Sequence, residues 1–133
     1  MKEPLWIDEQ DALVLHDRLL ALFGGATGLR DRKLLESALA RPRQLHAYAA
    51  SPNLIDMAAS YTAGIIRNHP FIDGNKRTGF LLGVLFLEIN GYLFTATEED
   101  AAHAVLALAA GSIDEPGFAA WLRANVRSAR KNR

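Results

Sequence analysis

The sequence predicts an all-α fold of six helices. Three observations lead there. Apolar residues recur every three to four positions in successive segments, and Gly, Pro, Asn or Asp stands at the joints between them. No run alternates apolar and polar residues over the length of an ordinary strand, and no internal repeat or long linker interrupts the series.

The first helix runs from about Asp8 to Phe23, with Val14, Leu15, Leu19, Leu22 and Phe23 as its apolar stripe, and Gly24-Gly25 stops it. Asp31 caps a second helix carrying Leu34, Leu35, Ala38 and Leu39, which Pro42 is expected to end near Ala40 or Arg41. His46, Tyr48 and Pro52 then fall in a loop. A third helix covers about Asn53 to Asn68. The fourth starts near Asn75 and stops at Asn90-Gly91. Phe80, Leu81, Val84, Leu85, Leu87 and Ile89 leave it almost no polar face, which marks a buried, central helix. Leu93-Phe94 is a short extended link. Thr97 and Asp100 form a capping-box pattern opening a fifth helix to about Ala110, and Asp114 caps a sixth through Trp121 to about Val126.

The 133 residues predict a single domain over 1–133, with 127–133 a loose basic tail. Half of the residues are hydrophobic, enough for one core. The 15 basic and 15 acidic residues cancel, so no global field draws the chain to nucleic acid or an anionic membrane. Absence of cysteine excludes disulfides and thiolate metal sites. The start carries no apolar signal core, and the longest apolar stretch, Gly79 to Leu87, is too short to span a bilayer. A cytoplasmic location is the expectation.

Chemistry concentrates in His69-Pro70-Phe71-Ile72-Asp73-Gly74-Asn75-Lys76-Arg77, just before the fourth helix. The first turn of a helix leaves N–H groups without partners, and the dipole adds positive charge, so anions bind there. Gly74 permits positive φ and close approach, while Asn75 can cap the helix and donate to a phosphate oxygen. Lys76 and Arg77 oppose the macrodipole at about 0.3–1 kcal/mol each, a placement that makes sense with an anion in front of them. Arg77 suits a bidentate phosphate contact and Lys76 a point charge. Asp73 is a hard oxygen ligand of the kind Mg²⁺ takes beside substrate phosphates. His69 has the chemistry of a general base for a hydroxyl. Each residue alone is more often structural. Together they are the parts that phosphoryl or nucleotidyl transfer requires.

The same stretch resembles the signature of the Fic/Doc family, its Doc (death-on-curing) branch in particular. Gly24-Gly25, Gly28-Leu29-Arg30-Asp31, Leu34-Leu35-Glu36-Ser37-Ala38-Leu39-Ala40-Arg41-Pro42 and Phe86-Leu87 through Asn90-Gly91-Tyr92 are similar to Doc-type segments in the same order. The resemblance implies a compact all-α fold with the motif loop between two central helices. It implies His69 as general base, Asp73 as Mg²⁺ ligand, Gly74 and Asn75 shaping the anion nest, and Arg77 on nucleotide phosphates. Fic AMP-transferases usually carry glycine where Lys76 stands and a second arginine where Phe80 stands. Doc toxins share the lysine and transfer the γ-phosphate of ATP to a threonine of elongation factor Tu, arresting translation. The resemblance therefore implies phosphate transfer, with AMP transfer or a non-catalytic nucleotide-binding module as alternatives. The family's inhibitory pattern is matched only by Thr95 with Glu99, followed by Asp100 where Gly or Asn is expected, so a separate antitoxin chain is the implied partner.

Elsewhere, His16 reads as a structural histidine among leucines and His103 as a surface or boundary residue. Trp6 and Trp121 read as packing residues. The segment with His46 and Tyr48 resembles the family's target-docking flap, or is an ordinary loop.

Overall fold

The computed structural model describes residues 2–129. The elements follow as α1 (Glu9–Phe23), α2 (Arg32–Tyr48), α3 (Leu54–Asn68), α4 (Asn75–Ile89), β1 (Tyr92–Phe94), α5 (Glu98–Ala110), α6 (Glu115–Ala124) and β2 (Val126–Ser128). The fold is all-α, with one small antiparallel sheet in which Tyr92 faces Ser128 and Phe94 faces Val126.

Side-chain caps start five of the helices. Asp8, Asp31, Asn53, Thr97 and Asp114 each accept a hydrogen bond from the backbone N–H three residues on, at 2.8–3.1 Å. At Asp8 the box is reciprocal, since Asp11 accepts from the Asp8 N–H in return. Such a cap contributes about 1 kcal/mol. Only α4 has no side-chain cap.

The centre belongs to α3 as much as to α4. Residues 57–65 of α3 are all buried, and the helix packs against α2, α4, α5 and α6. Small residues bring α3 and α4 close together. A Cβ at Gly83 would lie 2.5 Å from Thr62 Oγ1 and 2.9 Å from the Ala58 carbonyl. Thr62 Oγ1 donates to the Gly79 carbonyl at 2.8 Å across the same seam. These two helices flank the motif loop, so their separation fixes the distance between the loop's ends.

Several sequence expectations are corrected. The helix α2 does not stop at Pro42 but runs on to Tyr48. An interior proline costs about 3 kcal/mol in a lost bond and a clash. Here Pro42 is buried with Leu35, Ala38 and Leu39 on the face that packs against α3. The turns beyond it are held by Trp6, whose ring meets His46 at 5.6 Å and carries the Arg43 guanidinium at 5.0 Å. His46 and Tyr48 are therefore helical, their backbone committed to α2, and do not form a docking loop.

The buried face of α1 is Ala12, His16, Leu19 and Leu20, while Leu22 and Phe23 are 74% and 61% exposed. The Leu93-Phe94 link is part of β1. Arg127 and Ser128, assigned to a loose tail, pair with it in β2 because the end of α6 returns the chain alongside β1, with the Ala129 N–H donating to the Gly91 carbonyl at 2.8 Å. The rest of that expected tail, 130–133, lies outside the described residues.

Candidate active site

The motif loop begins where α3 ends. His69 is the C-cap, in left-handed conformation (φ 52°, ψ 53°), and its N–H still donates to the Ile65 carbonyl at 3.0 Å. The chain turns through buried Pro70 and Phe71 to exposed Ile72 and Asp73, and Gly74 (φ 80°) opens α4 as its N-cap. Positive φ at this joint is the reason for glycine.

Phe71 anchors the loop. Its ring is fully buried and stacks on His16 with centroids 3.8 Å apart and planes 10° from parallel. The Nε2–H of His16 donates to the Asp73 carbonyl at 2.8 Å, since a carbonyl can only accept, and that fixes the tautomer. The predicted structural histidine of α1 thus joins Phe71 to Asp73, a role that leucine spacing around it could not reveal.

Asn75 holds the other side. Its Oδ1 accepts from the Phe71 N–H at 3.0 Å and its Nδ2 donates to the Phe71 carbonyl at 2.9 Å. It is 3% exposed. The expectation of an Asn75 side chain capping α4 is corrected here. Gly74 is the N-cap, and the amide faces inward, with both ends occupied.

Asp73 is exposed, and each carboxylate oxygen accepts one backbone N–H. Oδ1 takes Gly74 at 2.9 Å, and Oδ2 takes Ala26 at 3.2 Å. The second bond comes from the α1–α2 connection, which lies along the motif loop. Leu29 bridges Phe71 in antiparallel fashion, and the Ile72 N–H donates to the Gly28 carbonyl at 3.1 Å. Contact is so close at Gly25 (φ 125°) that a Cβ there would sit 2.9 Å from Asp73 Oδ2. Nothing in the periodicity of the chain indicates that this connection supports the loop.

Lys76 and Arg77 are exposed on the first turn of α4. Arg77 lies over the Phe23 ring at 4.2 Å from its centroid, which gives that exposed aromatic a contact. His69, Asp73, Gly74, Asn75, Lys76 and Arg77 line one cleft of about 260 Å³. The structure therefore gathers all six predicted positions around one space. An apolar groove of about 330 Å³ continues from Lys76 and Arg77 past Phe80 between α4 and α5. Phe80, where a second arginine would stand in an AMP-transferase signature, is half-buried edge-on to Phe94 at 5.5 Å.

The donor set suits a particular metal. No group of three or more His, Cys, Asp or Glu side chains among the described residues could cage an ion. Asp73 alone offers carboxylate lone pairs beyond its two backbone bonds. One carboxylate fits Mg²⁺ that arrives with phosphate oxygens and water as its remaining ligands. No helix of the described chain is long and apolar enough to cross a membrane.

Residues 6–87 match the model of the Fic/DOC family. The matched span takes in α1, α2, α3 and nearly all of α4, and so every residue of the cleft. A protein named Toxin Doc from Mycolicibacterium smegmatis (strain ATCC 700084 / mc(2)155) is 38% identical over 92 residues, 68% of each chain. Protein kinase doc of Escherichia phage P1 is 33% identical over 85 residues, 64% of this chain and 68% of the phage protein.

Proposed function

The chain belongs to the Fic/DOC family, and from that membership we propose that it is a Doc-type toxin transferring the γ-phosphate of ATP to a protein hydroxyl. The observation that carries the reading is the shared cleft. A base, a lone carboxylate and an uncapped helix N-terminus with two cations face one space. The similarity to proteins named Toxin Doc and Protein kinase doc supports it.

In this reading His69 takes the proton of the attacking hydroxyl. The hydroxyl oxygen bonds to the γ-phosphorus as the bond to the β-bridging oxygen breaks, and ADP leaves with that electron pair. The backbone N–H groups at the start of α4, with Lys76 and Arg77, hold the phosphate oxygens and the charge that moves onto the leaving group. Asp73 would hold Mg²⁺, which supplies charge neutralisation between the phosphates. The order of groups supports γ-transfer: His69 and Asp73 lie at one end, the cations follow, and the apolar groove beyond them is free for the nucleoside. The proposed target is elongation factor Tu, with translation arrest as the result and a separate antitoxin as the partner.

The test is the mass of elongation factor Tu after incubation with the protein and Mg²⁺-ATP. Phosphate-sized addition supports the reading, and AMP-sized addition replaces it with adenylylation. No addition to this or any other cellular protein overturns enzymatic transfer. His69→Ala should lower the rate about 10²–10⁴-fold, the scale of a lost general base. An unchanged rate would remove His69 from the chemistry.

A further inference from the structure

Among the described residues His69 is the one non-glycine position with positive φ. Left-handed backbone at a residue bearing a Cβ is unfavourable by about 1–2 kcal/mol, so its surroundings must hold it there. The carbonyls on either side of its Cα show what does. Arg30 Nε donates to the His69 carbonyl at 2.7 Å, and Arg30 Nη2 donates to the Asn68 carbonyl at 2.9 Å. The backbone N–H groups of Arg30 and Asp31 both donate to the Pro70 carbonyl, at 2.6 and 3.0 Å. Three consecutive carbonyls, 68 to 70, thus close on one dipeptide.

A guanidinium suits this place for two reasons. The last carbonyls of α3 are the negative end of its dipole, where a cation is favoured. Its planar fork also reaches two neighbouring carbonyls at once, which an ammonium does less well. Arg30 forms no ion pair among the described residues, and its guanidinium donates to the Asn68 and His69 carbonyls. It is not needed to start α2, which Asp31 caps. Nor is Asn68 free to follow a shifting backbone, because its Nδ2 donates to the Leu34 carbonyl at 2.9 Å.

We propose that Arg30 is a positioning residue for the reaction. By holding residue 69 left-handed, it sets the direction in which the imidazole leaves the backbone, and it touches neither substrate nor nucleotide. The proposal rests on His69 as general base. Misplacement of a reacting group by an ångström costs about a hundredfold in rate. Arg30→Gln, with one amide to offer in place of the fork, should lower kcat at least about tenfold with KM for ATP within about twofold of wild type. Arg30→Lys should recover part of the loss.

The experiment pairs that kinetic series with the backbone NMR signals of residue 69 in the same proteins. In Arg30→Gln those signals should move away from their left-handed position or broaden by exchange. Signals identical to wild type overturn the proposal. So does a change in them with kcat unaltered, or a loss of activity that only tracks a fall in Tm and is equal in Arg30→Lys. Should Arg30→Gln not fold, Arg30→Lys carries the same two measurements. His69→Ala run alongside separates the premises. If it transfers phosphate like wild type, or wild type transfers none, the base assignment fails, and unmoved residue 69 signals would still refute the conformational part independently.

Discussion

Asn75→Ala tests whether the motif asparagine is scaffold or ligand. Its amide closes two hydrogen bonds with the backbone of Phe71, at 3.0 and 2.9 Å, and both residues are buried. Alanine leaves a buried N–H and a buried carbonyl without partners, at about 1–3 kcal/mol each, or about 2–6 kcal/mol in sum. For 133 residues, an unfolding entropy of about 2.1 cal/mol/K per residue totals about 0.28 kcal/mol/K. The midpoint should therefore fall by about 7–20 °C in a calorimetric or fluorescence melt. Phosphate transfer should fall with it, because Phe71 stacks on the His16 ring that holds the Asp73 carbonyl. Asn75→Asp keeps the acceptor but must be protonated to donate to the Phe71 carbonyl. When ionised it leaves that carbonyl without a donor, so it should recover only part of the loss. Should Asn75→Ala melt within about 2 °C of wild type yet lose nucleotide binding, the amide is a ligand and the scaffold argument is refuted.

Two further substitutions read other parts of the molecule. Gly25→Ala places a methyl group 2.9 Å from Asp73 Oδ2 at a φ of 125°. If Asp73 holds Mg²⁺ as proposed, the variant should weaken Mg²⁺-dependent transfer about tenfold or more, measured by titrating the metal at saturating ATP, because a carboxylate moved by an ångström would no longer meet the cation. Tyr61 is buried with its hydroxyl accepting from the Ile7 N–H at 3.0 Å, and burial pushes its pKa from 10.0 to about 12. The folded state holds that proton more tightly than the unfolded chain. Its contribution is therefore whole below pH 10 and is lost toward about pH 12, on the order of 2–3 kcal/mol. Tyr61→Phe should flatten the fall in denaturant midpoint over that window and lower stability at neutral pH by about 1–3 kcal/mol for the unpaired N–H.

Local chemistry made most helix starts legible. Asp8, Asp31, Asn53, Thr97 and Asp114 are caps because a short polar side chain beside a helix has few better uses. Asn75 looked the same in sequence and was not, since the preceding Gly74 took the capping position and turned the amide inward. Pro42 failed as a stop signal because packing along α2 outweighed a local preference, which spacing alone cannot weigh. The site residues stood together in the sequence, so their gathering around one cleft was legible too. Their supports were not. His16 reaches Asp73 across 57 positions and Arg30 reaches His69 across 39. Only the packing of α1, α2 and their connection against the loop brings such pairs together.

Much of the backbone of the motif loop is satisfied from within. Arg30 and Asp31 answer the carbonyls from 68 to 70, Asn75 answers Phe71, Gly28 answers the Ile72 N–H, and His16 answers the Asp73 carbonyl. Ordering a residue costs about 1–2 kcal/mol of backbone entropy, and here that loss accompanies folding, not the arrival of a ligand. Binding then has no search for shape to wait on, and affinity is not eroded by one. If the chain is the toxin proposed above, a partner that silences it would have to cover the cleft, in proportion to the chain itself.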